Sequence, residues 1–194
     1  MAKELPKRSE VKEEYTWNLS DMYESKEAWE RELDEVKALA SKLSAMEGEV
    51  VSSAEKLYRV LELNAQIGQK IDLTYNYAER LFDEDQKNTE HQAMAQKVYS
   101  TAVECESKTA FVVPEILAAE PETMEGFYKE KPELELYRRQ IEEIQRKKAH
   151  TLSAEMEKLV AMTGEMSQTA EQVYSILGNA DLIYPEIEDE NGEK

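Results

Sequence analysis

Trp29, Leu33, Val36, Ala40 and Leu43 recur at steps of three and four, a spacing that lays one apolar stripe along a helix from Ser25 to Gly48. Ser25 suits the cap at its start and Gly48 a stop at its end. Just upstream, NLSDMY predicts a short helical turn capped by Asn18, with Trp17 and Tyr23 packing on the bundle. A longer helix follows from about Ser53 to Phe82. Leu57, Val60, Leu61, Ile67, Ile71, Tyr75 and Ala78 share one face, and Leu73, Tyr77 and Leu81 add a second stripe. Two apolar stripes on one helix predict neighbours on two sides.

DEDQKN breaks the pattern, and Asn88 or Thr89 reopens it into a stripe of Met94, Val98, Ala102 and Cys105. The small side chains of STAVECESKTAF favour close helix approach, with Phe111, Val112 and Val113 filling the space beyond. Pro114 must interrupt or kink this helix, because it lacks an N–H and clashes with the preceding turn. The chain restarts through MEGFY, and Pro132 opens a helix carrying Leu134, Tyr137, Ile141 and Ile144. That helix is expected to finish at Arg146–Lys148, where cations complement the helix dipole and Glu142 and Glu143 offer partners one turn earlier. Ser153 is placed to cap another helix. Thr169 to Gln172 has the spacing of a capping box before Val173, Ile176 and Leu177, with Gly178 and Asn179 as terminators.

Leu182, Tyr184 and Ile187 read as an extended segment, and EDENG as a turn that would return the chain along a partner strand. Only Glu193 and Lys194 follow. The expected fold is therefore all-α: a multi-helix antiparallel bundle over residues 1–181, with an incomplete β-hairpin strand over 182–194.

Charge narrows the partners. Forty-two acidic residues against 24 basic ones give a formal charge of -18, which repels phosphate backbones and anionic membrane surfaces. Nucleic acid and membrane are thus not expected partners. Such a field either keeps the chain in solution or attracts cationic ligands. No run approaches the ~20 apolar residues of a membrane span, and the first 21 residues lack the apolar core of a secretory signal. A cytoplasmic protein is the expectation, and Asn18-Leu19-Ser20 is then an accidental match to a glycosylation acceptor.

The inventory for chemistry is short: two histidines and one cysteine. Structural zinc takes four Cys or His ligands, and His91, Cys105 and His150 have no paired spacing. Glu90 and His91 stand together on a helix, yet no second histidine completes a HExxH pair. His91 reads as a first-turn residue, His150 as a residue near a helix end, and Cys105 as a small buried hydrophobe. Glycine-rich phosphate loops are absent. No residue of the chain is assigned a catalytic, cofactor-binding or metal-binding role.

Three stretches, LPKRSEVKEEYTWNLSDMYESKEAWERELDEV, AHTLSAEMEKL and ILGNADLIYPEIEDENGEK, closely resemble the N-terminal region of the oligoendopeptidase F family of thimet-oligopeptidase-like metallopeptidases. Their order and spacing agree along essentially the whole chain. The resemblance implies a mostly helical zinc enzyme that cuts short peptides, with metal held by HExxH and a further glutamate. Those elements lie downstream in the family pattern, and none maps onto a residue here. It implies further that this chain helps wall an enclosed substrate cavity, binds no zinc itself, is inactive alone and needs a missing C-terminal catalytic region to meet oligopeptide substrates. Self-association through an uncovered apolar face is a corollary. A stand-alone helical module that binds peptides or a protein without cutting them is the alternative, and a helical scaffold protein a third.

Overall fold

A computed structural model describes residues 10–85 and 88–150, together with Met156, Ala170, Val173, Tyr174, Leu177 and Leu182. The chain divides into two compact units, Pro6–Lys148 and Met1–Leu5 with Ala149–Lys194. Six α-helices lie in the first: α1 (Lys26–Ser44), α2 (Ala54–Glu84), α3 (Thr89–Thr109), α4 (Val112–Ala118), α5 (Pro121–Glu130) and α6 (Arg138–Arg146). All of the regular structure among the described residues is helical.

Caps set the starts of the three long helices. The Ser25 hydroxyl accepts from the Ala28 N–H at 3.3 Å, the Ser53 hydroxyl from Lys56 N–H at 3.2 Å, and the Asn88 side chain from Glu90 and His91 N–H at 2.9 and 3.3 Å. The end of α1 differs from expectation, falling at Ser44 instead of Gly48. Tight turns carry the chain on from there, with Met46 N–H bonding Leu43 O and Glu47 N–H bonding Ser44 O. Gly48 adopts φ +81°, so its glycine serves the turn and not a helix end. That turn is secured from α4: the Glu115 carboxylate accepts from Gly48 N–H at 2.6 Å and from Val50 N–H at 3.0 Å.

Pro114 acts one turn earlier than its own position. The helix breaks around Ala110 and Phe111, and Pro114 becomes the third residue of α4, where no intrahelical N–H bond is required. Pro132 also opens its segment differently: Pro132–Tyr137 is a 3-10 helix, and the α-helix begins only at Arg138. Glu142 and Glu143 pair back to Arg138 at 3.8 Å and Arg139 at 3.0 Å, and the Arg146 and Lys147 charges add to the lowering of the Glu143 pKa. Lys148 reaches Glu120, 3.7 Å away.

α1, α2 and α3 pack mutually as a three-helix bundle, and α4, α5, the 3-10 segment and α6 gather beside the first half of α2. At 31 residues α2 is about 46 Å long, which lets it serve both groups. The core accordingly forms two clusters. The larger joins Val36, Leu43, Leu57, Leu61, Ile116, Leu134 and Ile141; the smaller joins Trp29, Leu33, Tyr77, Ala78, Met94 and Val98. Between them in sequence on α2 and α3 lie the two buried threonines, Thr74 and Thr101. Each hydroxyl donates to carbonyls of its own helix, Thr74 to Lys70 and Ile71 at 2.8 and 2.9 Å and Thr101 to Lys97 at 2.9 Å. Burial of these polar groups is thereby compensated without any bond across the bundle.

The helices expected from Ser153 and Thr169 and the strand over 182–194 lie outside the described residues, apart from single positions. Met156, Ala170, Val173 and Tyr174 are helical. The Leu182 N–H bonds the Leu177 carbonyl at 2.9 Å, a local bond of the type that closes helix ends.

Candidate interaction surface

The three residues with the strongest potential for metal or nucleophilic chemistry occupy different parts of the chain. His91 sits in the first turn of α3, its Nδ1 buried without a hydrogen-bond partner among the described residues. Cys105 is buried in the larger cluster, and that burial, with the Glu104 charge adding, pushes its thiol pKa up. A thiol held neutral is a poor nucleophile. His150 is exposed at the end of the 3-10 turn Lys147–His150. Glu90 is taken up by Lys26 of α1 at 2.6 Å, which lowers the carboxyl pKa. Among the described residues no three His, Cys, Asp or Glu side chains converge as metal ligands.

Electrostatic ties run across the bundle instead. Lys97 of α3 pairs with Glu30 of α1 at 2.8 Å, and its ammonium lies 5.7 Å from the centre of the Trp29 ring. Lys70 of α2 bridges Glu32 and Glu35 of α1 at 2.7 and 3.2 Å. The fully buried Trp29 donates its indole N–H to the Thr74 carbonyl at 2.9 Å, fixing α1 against α2. Tyr23 stacks edge-on against Tyr77 with ring centres 5.3 Å apart. Burial, then the Glu32 charge, pushes the Tyr23 pKa up to about 12.

At the other end, the Tyr137 hydroxyl bonds Glu62 of α2, and its pKa is pushed up to about 12 by burial and then by that bond. Arg138 grips Glu135 through two bonds of 2.7 Å, reaches Glu125 at 2.8 Å, and places its guanidinium 3.8 Å from the centre of the Tyr128 ring. These contacts anchor the 3-10 segment. A separate cleft of about 350 Å³ is lined by Asn64 and Leu61 of α2, Glu106 and Thr109 of α3, Val113 of α4 and Ile144 of α6.

Tyr23 packs as its sequence position suggests, but Trp17 does not: its side chain is 81% exposed. It stands before a three-residue 3-10 turn, Leu19–Asp21, whose Leu19 and Met22 pack on the smaller cluster. Two clefts of about 400 and 380 Å³ meet at Trp17, Leu19 and Arg80. Hydrophobic periodicity could not reveal this surface, because a single turn has no repeat from which to read a face. Tyr75 and Leu73 are likewise more exposed than their stripes predict, at 40% and 39%, and Val113, expected to fill space beyond α3, is 46% exposed. No helix among the described residues is long and apolar enough to cross a membrane.

Residues 115–184 match the family model described as oligopeptidase F. Over 191 residues the chain is 39% identical to oligopeptidase PepF of Bacillus subtilis, covering 98% of this chain and 28% of that protein. It is 32% identical over 190 residues to the plasmid oligoendopeptidase F of Lactococcus lactis subsp. cremoris, with 96% and 31% covered. Among solved structures, oligoendopeptidase-F from Enterococcus faecium superposes with a TM-score of 0.67 at 30% identity, over 84% of this chain and 32% of that one. A peptidase structure from Chlamydophila abortus shares the fold, with a TM-score of 0.66 at 23% identity over 98% and 32%. The chain spans less than a third of the length of these curated relatives.

Proposed function

We propose that the chain is the N-terminal helical region of an oligoendopeptidase F-like peptidase, and that it forms part of the wall of an enclosed cavity in which a longer cytoplasmic enzyme hydrolyses short peptides. The observation that carries this reading is the shape of the match: 98% of this chain aligns with 28% of the Bacillus subtilis relative. A wall needs rigidity more than reactive groups. Capped long helices, a buried indole bond and ion pairs across the bundle supply it. Enclosure then selects substrates by size, because a flexible oligopeptide enters where a folded protein cannot. The net charge of -18 favours cationic peptides near such a wall.

Zinc, implied by the family resemblance, supplies a polarised water when bound. The described residues do not fit it: His91 is committed to the start of α3, Cys105 to the core and His150 to an exposed turn. No step of the hydrolysis is assigned to this chain, which is expected to be inactive alone.

Replacing the matched region of the Bacillus subtilis relative with this chain tests the proposal. The chimera should cleave a quenched short peptide, lose that activity to a chelator and leave a folded protein intact. Cleavage by the 194-residue chain alone with added zinc, abolished by a chelator, would overturn the inactive-wall reading. A folded but inactive chimera, with peptide retained by the chain alone, would favour a stand-alone binding module, the reading to which the exposed Trp17 clefts lend weight.

A further inference from the structure

Trp17 is the most exposed tryptophan side chain on the described surface, and it does not stand on a loose strand. Its platform is tied down on two sides. Leu19 and Met22 are seated against the Trp29–Tyr77 cluster, while the Asn18 amide donates to Asp21 at 2.8 Å and the Ser20 hydroxyl to Asn18 at 2.7 Å. On α2, Arg80 is held by Asp83 at 3.0 Å. The indole thus projects from a preformed floor between two open clefts, the geometry in which a single aromatic anchors an interface. Tyr99 and Val103, also exposed, line none of these clefts, and apolar residues scattered singly on a helix are ordinary.

Two observations select the occupant. More than two thirds of the length of each relative lies outside the region this chain matches. The cleft lining is acidic in balance, with Asp21, Asp83 and Glu84 against Arg80. A second copy of a chain carrying -18 would bring the same sign of charge to this rim. We propose that the Trp17 clefts seat the other part of the oligopeptidase: an apolar segment flanked by at least one cation, supplied by the portion of the family's chain outside the match. Trp17 inserts between its apolar side chains, and Asp21 and Asp83 meet its cation. The inference rests on the family reading above for its occupant.

The test uses 5-fluorotryptophan in the 194-residue chain and in the chimera, with the Trp17 resonance assigned from Trp17→Phe. In the chain alone a soluble gadolinium chelate should broaden Trp17 strongly and leave buried Trp29 sharp. In the chimera Trp17 should lose most of that broadening, at least fivefold. Equal broadening in both would overturn the docking proposal even if the chimera cleaves peptides, whereas a protected Trp17 in an inactive chimera would sustain docking and count against the catalytic reading. As a second measurement, the tagged chain is co-expressed with the remaining part of the relative as a separate polypeptide. Capture should fall at least tenfold with Trp17→Glu, and weaken with salt. Unchanged capture, or none by the original chain, would overturn the proposal.

Discussion

The two ends of the bundle solve the same problem with different means. Beside the first half of α2, the later helices α4 to α6 cover the bundle, and the fully buried core runs mainly through aliphatic side chains, Leu57, Leu61, Ile116, Leu134 and Ile141, with Tyr128 and Tyr137 packed among them. At the opposite end, among the described residues, a three-residue turn supplies the cover, and the core depends on a few large residues: Trp29, Tyr77, Met94 and the flanking Tyr23. Where helices supply the lid, burial is redundant. Where a turn supplies it, single aromatic side chains and their polar handles carry more of the packing.

The difference is sharpest for cavity mutations. Trp29→Ala should destabilise by about 3–5 kcal/mol, and Ile116→Ala by about 2–5 kcal/mol. Their locations should differ more than their sizes. Hydrogen exchange after Trp29→Ala should rise first in the early turns of α1 and the late turns of α2, and after Ile116→Ala in α4 through α6. Uniform acceleration by both would show that the threonine layer at Thr74 and Thr101 does not separate two cooperative regions.

Alkaline titration probes both ends with one variable. Burial favours the neutral hydroxyl and pushes the pKa of both Tyr23 and Tyr137 up to about 12 from an ordinary 10. A raised folded pKa means that the contribution to stability is complete below pH 10 and is lost as pH climbs from 10 toward 12. Unfolding free energy should therefore fall over that window. Tyr23→Phe and Tyr137→Phe should each remove part of the slope, and denaturant melts at pH 9, 10, 11 and 12 would measure it. An unchanged slope in both variants would reject the assignment.

Smaller again is the tie from α4 to the turn after α1. Glu115→Gln replaces a carboxylate that accepts two backbone N–H bonds, leaving one acceptor oxygen where there were two. The expected cost is about 1 kcal/mol, read by thermal melts, with exchange of the Gly48 and Val50 amides rising most.

Long repeats made most of the helices legible. Trp29, Leu33, Val36 and Leu43 specify the buried face of α1, and Ser25, Ser53 and Asn88 mark helix starts that their side-chain bonds bear out. What escaped was tertiary or short. Glu115 lies 65 residues from Val50, so no local pattern announces their bond. The 3-10 geometry of Pro132–Tyr137 keeps the same apolar positions that an α-helix would, and spacing does not distinguish them. The candidate surface was the least legible part. Trp17 reads as core by residue type, and only its place beside a single turn leaves it uncovered.

That exposure leads to the smallest predicted effect on the isolated chain. Replacing a large aromatic normally weakens a protein because packed contacts and buried area are lost. Trp17 has little of either, since 81% of its surface already faces solvent. Trp17→Ser should therefore move the unfolding free energy of the chain by no more than about 0.5 kcal/mol, within the range of ordinary surface substitutions. The contrast with Trp29→Ala tests whether two tryptophans twelve positions apart in one sequence differ only in what covers them. A loss approaching that of Trp29→Ala in urea melts of the chain alone would mean that Trp17 is packed in solution, and would remove the open clefts from which the docking surface is inferred.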